Sequence, residues 1–477
     1  MGGILSLHSY SRSLSPYEIS QSEACKRQRT SSSFWDDNPR LIPSLPDEIS
    51  IQILARLPRV DHLSAKLVSH SWKAAILSAE LYSVRKELET TEEWLYILTK
   101  VDNVKFMWYA LDPHCEVWQK LPPMPNVDID EGSSRGLSSL WMRNMVGSSL
   151  RIADCIMGWL GRKEALDQIP FCGCSIGVVD GCLYVIGGFF RSSAMKTVWR
   201  YDPIVNAWSE VSPMTVGRAY CKTGVLNNKL YVVGGVTRGR GGLTPLQSAE
   251  VFDPCTGLWS DVPSMPFSKA QLLPTAFLAD LLKPIATGMT SYRGKLYVAQ
   301  SLYCWPFFVD VGGEVYDPET NLWVEMPMGM GEGWPARQAG TKLSVIVDGD
   351  LYALDPSSTL DSARIKVYDF QDDAWKVIEG EVPIYDLADS EYPYLLAGLH
   401  GKLHVITKDA SNNIAVFQAD KPKFNSSPFT SLAPSEESFQ GLQISDSELL
   451  SEENMWKTVC TINAASSELI SCQVLNI

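Results

Sequence analysis

The chain has 477 residues, of which 45% are apolar and 20% are charged, as is usual for a globular protein. It carries 41 Lys and Arg against 55 Asp and Glu, so its net charge is −14, which disfavours binding to nucleic acid. No stretch approaches about 18 consecutive apolar residues, and no basic segment followed by an apolar one opens the chain. We therefore expect neither a membrane span nor secretion.

Eleven cysteines are scattered through the chain without a Cys-x-x-Cys pair. This usage favours free thiols in a reducing compartment, so we expect a cytoplasmic protein, a nuclear protein or both. Residues 1–40 are rich in Ser, Arg and Gln and are predicted to be a disordered tail. The first six residues fit a myristoylation pattern with Gly2 as the acceptor, which would add membrane association. An unmodified free tail is the favoured interpretation, because so short a pattern often occurs by chance.

A helical period begins at residue 41 and ends near Leu88. Ser44 and Asp47 have the spacing of a capping box for a first helix, which Pro58 ends, and Asp61 is placed to cap a second. Apolar residues of the first helix draw one stripe: Leu45, Ile49, Ile53, Leu54 and Leu57. We predict a three-helix unit at 41–88, which is too short to bury all of this stripe alone.

From about residue 92 the pattern changes to short apolar strands that repeat. In five units an Asp that ends one strand is followed six positions later by Trp: Asp112 and Trp118, Asp202 and Trp208, Asp253 and Trp259, Asp317 and Trp323, Asp369 and Trp375. The Asp starts a turn and the Trp enters the next strand facing a neighbouring sheet. Each unit is then one small antiparallel sheet whose apolar faces only further copies can cover.

The count of units predicts a mainly β fold, a six-bladed propeller at 89–477 behind the small α domain. Blade six starts at Gly401, with Trp456 as its delayed Trp, and blade one shows only three strands. The segment 469–477 is a spare strand, which we expect to pair into blade one and close the ring. Three inserts are predicted at about 126–168, 268–286 and 420–453, with helical turns near 150–160 and 277–282 and a flexible loop in the third.

The residues Pro43-Ser-Leu-Pro-Asp-Glu-Ile49, the pair Ile53 and Leu54, and Val68 with Trp72 resemble the landmarks of an F-box. The Gly-Gly, Tyr-Asp-Pro and Trp repeats resemble kelch repeats. Together they resemble a plant-type F-box/kelch-repeat protein, which implies a non-catalytic substrate receptor of an SCF (Skp–cullin–F-box) ubiquitin ligase. The family implies that the F-box docks on a Skp-type adaptor, and through it on cullin, while the propeller binds a target protein.

The resemblance also implies which residues contact the adaptor: Leu45, Pro46, Ile49, Ile53, Leu54, Leu57, Pro58, Val68 and Trp72. We expect part of this set to pack internally, with Leu45, Pro46 and Leu54 facing the adaptor.

The target is expected on the face of the disc that carries the long connections between the second and third strands of each blade. Residues 236–247 contain Arg238 and Arg240 among glycines, a flexible basic patch suited to acidic target residues. The same connection in blade four is crowded with aromatic candidates: Tyr303, Trp305, Phe307 and Phe308. The alternative is that these aromatics pack under the insert at 268–286. Arg218 and Arg337 are expected to bond nearby carbonyls.

Catalytic motifs, cofactor motifs and metal-site spacings are not found in the sequence, so we expect no enzyme activity, no cofactor and no metal. His400 and His404 straddle a turn into a strand and do not have the spacing of a helical metal pair. Two alternatives to the ligase receptor stay open. One is a ligase-independent kelch scaffold, and the other is a kelch-type copper oxidase, which the histidine positions disfavour.

Overall fold

A computed structural model describes the helical unit and six sheets of the chain. The described residues are 40–101, 105–112, 114, 116–124, 173–190, 193–239, 242–268, 283–304, 307–334, 344–356, 363–378, 382, 384, 394–419, 455–463 and 467–477. The tail with Gly2, the inserts predicted at 126–168 and 420–453, and most of the insert at 268–286 lie outside these residues. Residues 283–286, the end of the insert predicted at 268–286, belong instead to the strand Lys283–Tyr292.

Four α-helices and one 3₁₀ turn, rather than three helices, form the helical unit. They are α1 (Asp47–Ala55), the 3₁₀ turn (Arg59–Asp61), α2 (His62–Ala65), α3 (His70–Ile76) and α4 (Ala79–Glu87). The extra helix arises because Ser69 caps a new start: its hydroxyl accepts a hydrogen bond from the Trp72 N–H at 3.1 Å. Trp72 is therefore inside α3 rather than beyond the second helix.

The predicted capping box of α1 is not formed. Ser44 adopts a φ of 72°, and Pro46 occupies the N-cap position without a side-chain hydrogen bond. The Asp47 carboxylate instead accepts from the Leu41 N–H at 3.0 Å, which ties the entering chain to the first turn. The Asp61 side chain does not cap α2 either.

Most of the rest of the described chain forms six four-stranded antiparallel sheets, each with strand order a, b, c, d from the centre outward. Two short two-stranded hairpins and a helix at Met328–Glu332 are found in addition to them. Their strands are, for sheet 1, Ser467–Asn476, Glu93–Val101, Lys105–Asp112 and Val117–Lys120; for sheet 2, Ser175–Val179, Cys182–Ile186, Val198–Asp202 and Ala207–Val211; for sheet 3, Lys222–Leu226, Lys229–Val233, Ala249–Asp253 and Leu258–Val262; for sheet 4, Lys283–Tyr292, Lys295–Cys304, Phe307–Asp317 and Leu322–Glu325; for sheet 5, Ser344–Val347, Asp350–Pro356, Ala363–Asp369 and Ala374–Val377; and for sheet 6, Tyr394–Leu399, Lys402–Lys408, Ile414–Ala419 and Trp456–Ile462.

The sheets close into a six-bladed propeller. Each strand a contacts strand a of the next sheet, and the contacts run from sheet 6 through sheet 1 back to sheet 2. The ring is closed as predicted, because Ser467–Asn476 pairs antiparallel with Glu93–Val101 and supplies the innermost strand of sheet 1. Closure gives each of the six sheets a neighbour on both faces, whereas an open array would leave the outer faces of its two end sheets uncovered.

Side chains bond the backbone edges that the innermost strands turn toward the ring centre. The Thr223 hydroxyl of sheet 3 donates to the Ile176 carbonyl of sheet 2 at 2.6 Å, and the Gln473 amide of sheet 1 donates to the same carbonyl at 3.3 Å. The Val225 N–H of sheet 3 donates to the Ser291 hydroxyl of sheet 4 at 3.0 Å. These bonds fix the relative height of neighbouring blades at the centre.

The outer strands explain why the same spacing between Asp and Trp recurs along the chain. Asp253 ends strand c, and its carboxylate accepts from the Cys255 N–H at 2.9 Å, which forms the turn. Trp259 then crosses to the preceding sheet, where its indole N–H donates to the Ser212 carbonyl at 2.8 Å. The same link to the preceding sheet recurs at Trp208, Trp323 and Trp375. Trp456 begins strand d of sheet 6 and is buried against sheet 5, as predicted.

Candidate functional site

The helical unit rests on the side of the disc that carries the a–b and c–d turns. The Lys66 ammonium donates to the Ile204 carbonyl in the c–d turn of sheet 2 at 3.2 Å, and the Arg59 guanidinium donates to the neighbouring Pro203 carbonyl. Lys86 pairs with Asp180, in the a–b turn of the same sheet, at 2.7 Å. The b–c connections therefore lie on the face opposite the helical unit.

A buried ion pair fixes the helical unit to the first blade. The Arg85 guanidinium of α4 donates to the Glu92 carboxylate at 3.2 Å and to the Ala55 and Leu57 carbonyls at 3.1 and 2.6 Å. Burial lowers the pKa of Arg85, although the Glu92 charge opposes that effect. The Glu92 carboxylate also accepts from the Arg59 N–H at 2.8 Å. These bonds join two helices to the residue that precedes the first strand.

Among the described residues, the helices leave a set of large apolar side chains exposed. The set, called here the exposed apolar face, consists of Ile49, Ile53, Leu63, Leu67 and Val68. Leu67 is 86% exposed. Leu63 and Leu67 were missed by the sequence reasoning, although their spacing of four along the chain places them on one helical face. Exposed apolar patches are typical of interaction sites.

The expectation that Leu54 faces the adaptor is wrong for this structure. Leu54 is 0% exposed and forms the core of the helical unit with Ala55, Ala65, Ile76 and Leu81. The α1 stripe is wide enough to cover two sides of the helix, so Ile49 and Ile53 point outward when Leu54 points inward.

The remaining residues that were predicted to contact the adaptor differ in how far their side chains are buried. Pro46 and Pro58 are exposed, whereas Leu45 and Leu57 are half-buried. Trp72 is half-buried too, and its indole N–H donates to the Leu41 carbonyl at 2.7 Å.

The opposite face carries paired strands where the sequence suggested flexible connections. Arg238 lies on a hairpin in which Val236–Gly239 pairs with Gly242–Pro245, and sheet 2 has a shorter hairpin of Phe189–Phe190 with Ser193–Ala194. In sheet 4 strands b and c are themselves long, so Tyr303 pairs with Phe308 and Phe307 with Cys304. The predicted loop aromatics are thus strand residues, while Arg240 and Trp305 lie outside the described residues.

An apolar cluster holds these hairpins together. Its buried members are Phe189 of sheet 2 and Ala219 and Val236 of sheet 3, and Ile285 of sheet 4 packs against them. Ala219 and Val236 also exchange backbone hydrogen bonds at 2.9 and 2.8 Å. This group, called here the hairpin cluster, makes the b–c side of sheets 2 to 4 one continuous surface rather than three independent loops.

Arg218 is a structural residue, as expected from the sequence. Its guanidinium is 0% exposed and donates to the Glu250 carboxylate at 2.7 Å and to the Gly234 and Ser248 carbonyls at 3.0 and 2.7 Å. Burial alone raises the pKa of Glu250, but the hydrogen bonds from Arg218 and from the Thr215 N–H lower it below its ordinary value. Arg337 lies outside the described residues.

The histidines of the described residues do not come together in one cluster. His62 is buried in the helical unit and His404 in sheet 6, while the His114 and His400 rings meet at the turn face with centroids 4.7 Å apart. Within the described residues no group of three His, Cys, Asp or Glu side chains is arranged to bind a metal ion. A helix long and apolar enough to cross a membrane is likewise not found in that part of the chain.

Comparison with known proteins assigns both parts of the molecule. The F-box domain family matches residues 42–84, and the kelch motif matches 170–215 and 217–266. The F-box/kelch-repeat protein At1g22040 of Arabidopsis thaliana is 59% identical over 479 residues, covering 100% of both chains. The chain belongs to the F-box/kelch-repeat proteins. More distant relatives from the same plant are F-box/kelch-repeat protein At1g30090, 29% identical over 68% of this chain and 67% of its own, and F-box protein AFR, 26% identical over 66% and 68%.

For this F-box/kelch-repeat protein, the helical unit is the F-box and the ring is the kelch propeller. An F-box joined to kelch repeats supports a role as a substrate adaptor of SCF ligases in general, and an F-box in general implies binding to a Skp-type adaptor. Within the described residues, the F-box and the b–c hairpins occupy opposite faces of the propeller.

Proposed function

We propose that this protein is the substrate-recognition subunit of an SCF-type ubiquitin ligase, with an F-box at 41–88 and a six-bladed propeller at 89–477. The F-box binds a Skp-type adaptor through its exposed apolar face, and the b–c hairpins bind a target protein. The protein itself does no chemistry; it brings target lysines close to a ubiquitin carrier held elsewhere in the complex.

The observation that carries the proposal is the exposed apolar face itself. Ile49 and Ile53 are 43% and 41% exposed on α1, and Leu63 is 59% exposed on α2. Burying a large apolar side chain contributes about 1.5–3 kcal/mol, before the entropic costs of association are subtracted. Because the five side chains are partly exposed, their burial by a partner would add several kcal/mol toward docking.

The contacts between the F-box and the propeller support the proposal that the b–c hairpins bind a target protein. Arg59, Lys66 and Lys86 contact turns of sheet 2, and Arg85 is ion-paired with Glu92. A disc that is attached by one face presents its other face at a fixed distance and angle from the adaptor. Fixed geometry suits a receptor, because the effective concentration of the target depends on where it is held.

Replacement of Leu67 by Asp tests the adaptor surface. A charge in the middle of an apolar interface is costly, so Leu67→Asp is expected to abolish co-purification with a Skp-type adaptor. Leu67 is 86% exposed, so the variant is expected to fold normally. Leu54→Asp is a poor test, because it places a charge in the core of the F-box.

Leu258→Asp is the matched control, since Leu258 is 64% exposed on strand d of sheet 3. It makes the same chemical change on the propeller and is expected to retain the adaptor. Adaptor binding by folded Leu67→Asp protein, or its equal loss in both variants, contradicts the proposed docking surface.

A further inference from the structure

We propose that His114 and His400 form a pH-sensitive latch between sheets 6 and 1, which loosens the seam between these sheets beneath the F-box when it takes up a proton. His114 lies in the c–d turn of sheet 1 and His400 in the a–b turn of sheet 6, and their ring centroids are 4.7 Å apart. The device does not depend on the adaptor or on the target, so it goes beyond the proposed function.

A second contact crosses the same seam. The Glu93 carboxylate, at the start of strand b of sheet 1, accepts from the His400 N–H at 2.5 Å and lies 3.8 Å from the His400 Nδ1 atom. Glu93 itself is paired with Asn476 of the strand that closes the ring. The backbone and the ring of His400 therefore both contact the sheet that the final strand completes.

The seam is also part of the attachment of the F-box. A cavity of about 480 Å³ lies where α4, the segment after it, the ring-closing strand and the two turns meet, and its lining is Lys86, Glu89, Thr91, Glu92, Glu93, His114, His400 and Asn476. The Tyr82 hydroxyl of α4 donates to the Asn476 carbonyl at 3.0 Å. A movement of the ring-closing strand at this seam would therefore reach the F-box through residues that both parts contact.

The charges around His400 come from each element packed against it. Burial lowers the pKa of His400 and the neighbouring His114 lowers it further, whereas the carboxylates of Glu93, Asp112 and Glu92 oppose the change without cancelling it. The other titratable groups nearby line the cavity or lie on strand b of sheet 6: Lys86, Glu89, Lys402 and His404. The closed seam therefore favours the neutral imidazole of His400.

The direction of the response follows from this preference. When the seam opens and His400 is solvated, its pKa returns toward the ordinary value of 6.5, so the open seam binds a proton more readily than the closed one. The closed seam is fully favoured above that pH and is weakened as the pH falls below it. A proton on His400 also repels a second proton on the adjacent His114 ring. Acidification should release the latch, and neutral pH should close it again.

Hydrogen–deuterium exchange of the full chain, read by peptide mass spectrometry at pH 7.5 and pH 5.5, measures the opening of the seam. Rates at each pH are corrected for the intrinsic exchange of the unprotected chain and compared with those of Lys229–Val233 in sheet 3, far from the seam. Exchange of Ser467–Asn476 and of Ala79–Glu87 is expected to rise at pH 5.5 by at least about twofold relative to this reference.

His400→Asn removes the titratable ring, and asparagine tolerates the φ of 51° found at this position. This variant is expected to lose the acid response of both peptides. His70→Asn makes the same change at an exposed position on α3 and should keep the response. An absent acid response in the natural sequence, or a response that survives His400→Asn, overturns the proposal.

Glu93→Gln separates the titration of His400 from a merely structural role of the seam. Glutamine keeps an acceptor for the His400 N–H but removes the charge that favours the protonated ring, so the acid response should become larger. A smaller response in Glu93→Gln contradicts the latch, and this test still decides if His400→Asn opens the seam at both pH values. Adaptor binding, measured with Leu67→Asp, is a separate readout, so the latch can fail while the proposed function stands.

Discussion

The Arg85 guanidinium and the Glu92 carboxylate lie 3.2 Å apart where the last F-box helix meets the first blade. Glu92 also exchanges both backbone hydrogen bonds with Ile477, at 2.8 and 2.9 Å, beside the strand that closes the ring. The Trp94 indole N–H donates to the same carboxylate at 3.2 Å. Glu92 therefore links the F-box to the first sheet and to the strand that closes the ring. A substitution of Glu92 is expected to weaken both the docking of the F-box and the stability of the propeller.

Glu92→Gln is expected to lower the free energy of unfolding by about 3 kcal/mol, because it leaves the buried Arg85 charge without its counter-charge. Urea unfolding measures the change. Lys86→Met is the control: it removes a neighbouring ion pair, to Asp180, in which both side chains are about half exposed. The control should cost less than about 1 kcal/mol. Equal losses in the two variants would show that burial of the Arg85 pair adds nothing.

The indole bonds between blades give a second measurable quantity. Trp259→Phe keeps an aromatic ring but removes the N–H that donates to Ser212 of the preceding sheet. We expect a loss of about 1–3 kcal/mol in the free energy of unfolding, from the unpaired carbonyl and the smaller ring. Leu258→Ala, at the exposed neighbouring position, should stay within about 0.5 kcal/mol. If Trp259→Phe leaves the free energy of unfolding unchanged, ring packing alone joins the blades.

The propeller could be predicted from the sequence because its signals are local and repeated. The six-residue step from Asp253 to Trp259 encodes a turn and a side chain that faces a neighbouring sheet, and the step recurs in five units. The spare strand at 469–477 was predicted to close the ring because blade one showed only three strands.

The residues of the exposed apolar face of the F-box could not be predicted from the sequence in the same way. An apolar stripe shows that a helix is buried on some side, but it does not show whether its own domain or a partner covers each residue. Leu54 and Ile53 are adjacent and both apolar, yet one is 0% and the other 41% exposed. Only the positions of the other helices decide between them.

Pairs between distant residues left no sequence signal at all. Arg218 and Glu250 are far apart along the chain, and their ion pair exists only because strand c of sheet 3 lies beside the segment that enters strand a.

Arg218→Lys tests the buried pair. Lysine keeps the charge but loses the fork that bonds Glu250, Gly234 and Ser248 together, so a loss of about 3–5 kcal/mol is expected. Arg200→Lys is the control, because Arg200 is 39% exposed and pairs with Asp202 at 3.1 Å. That change should cost less than about 1 kcal/mol by urea unfolding. A tolerated Arg218→Lys would mean that a single charge is sufficient in this position.

Two buried histidines predict how stability depends on pH. Burial lowers the pKa of His62 to about 4, with help from the Arg85 and Arg59 charges, and burial likewise lowers the pKa of His404 to about 4. In the unfolded chain both should titrate near their ordinary pKa of 6.5. The contribution of these two histidines to stability is therefore nearly constant above about pH 7 and falls as the pH drops toward 4, because the unfolded state binds protons first.

Between pH 7 and pH 5 each histidine should cost about 2 kcal/mol of unfolding free energy, before most carboxylates begin to titrate. His404→Gln should remove its share of the slope, measured by urea unfolding at several pH values in that window. His70→Gln, at an exposed position on α3, is the matched control and should keep the slope of the natural sequence. If His404→Gln unfolds with an unchanged pH dependence, the imidazole of His404 is protonated in the folded protein and its burial does not exclude the charge.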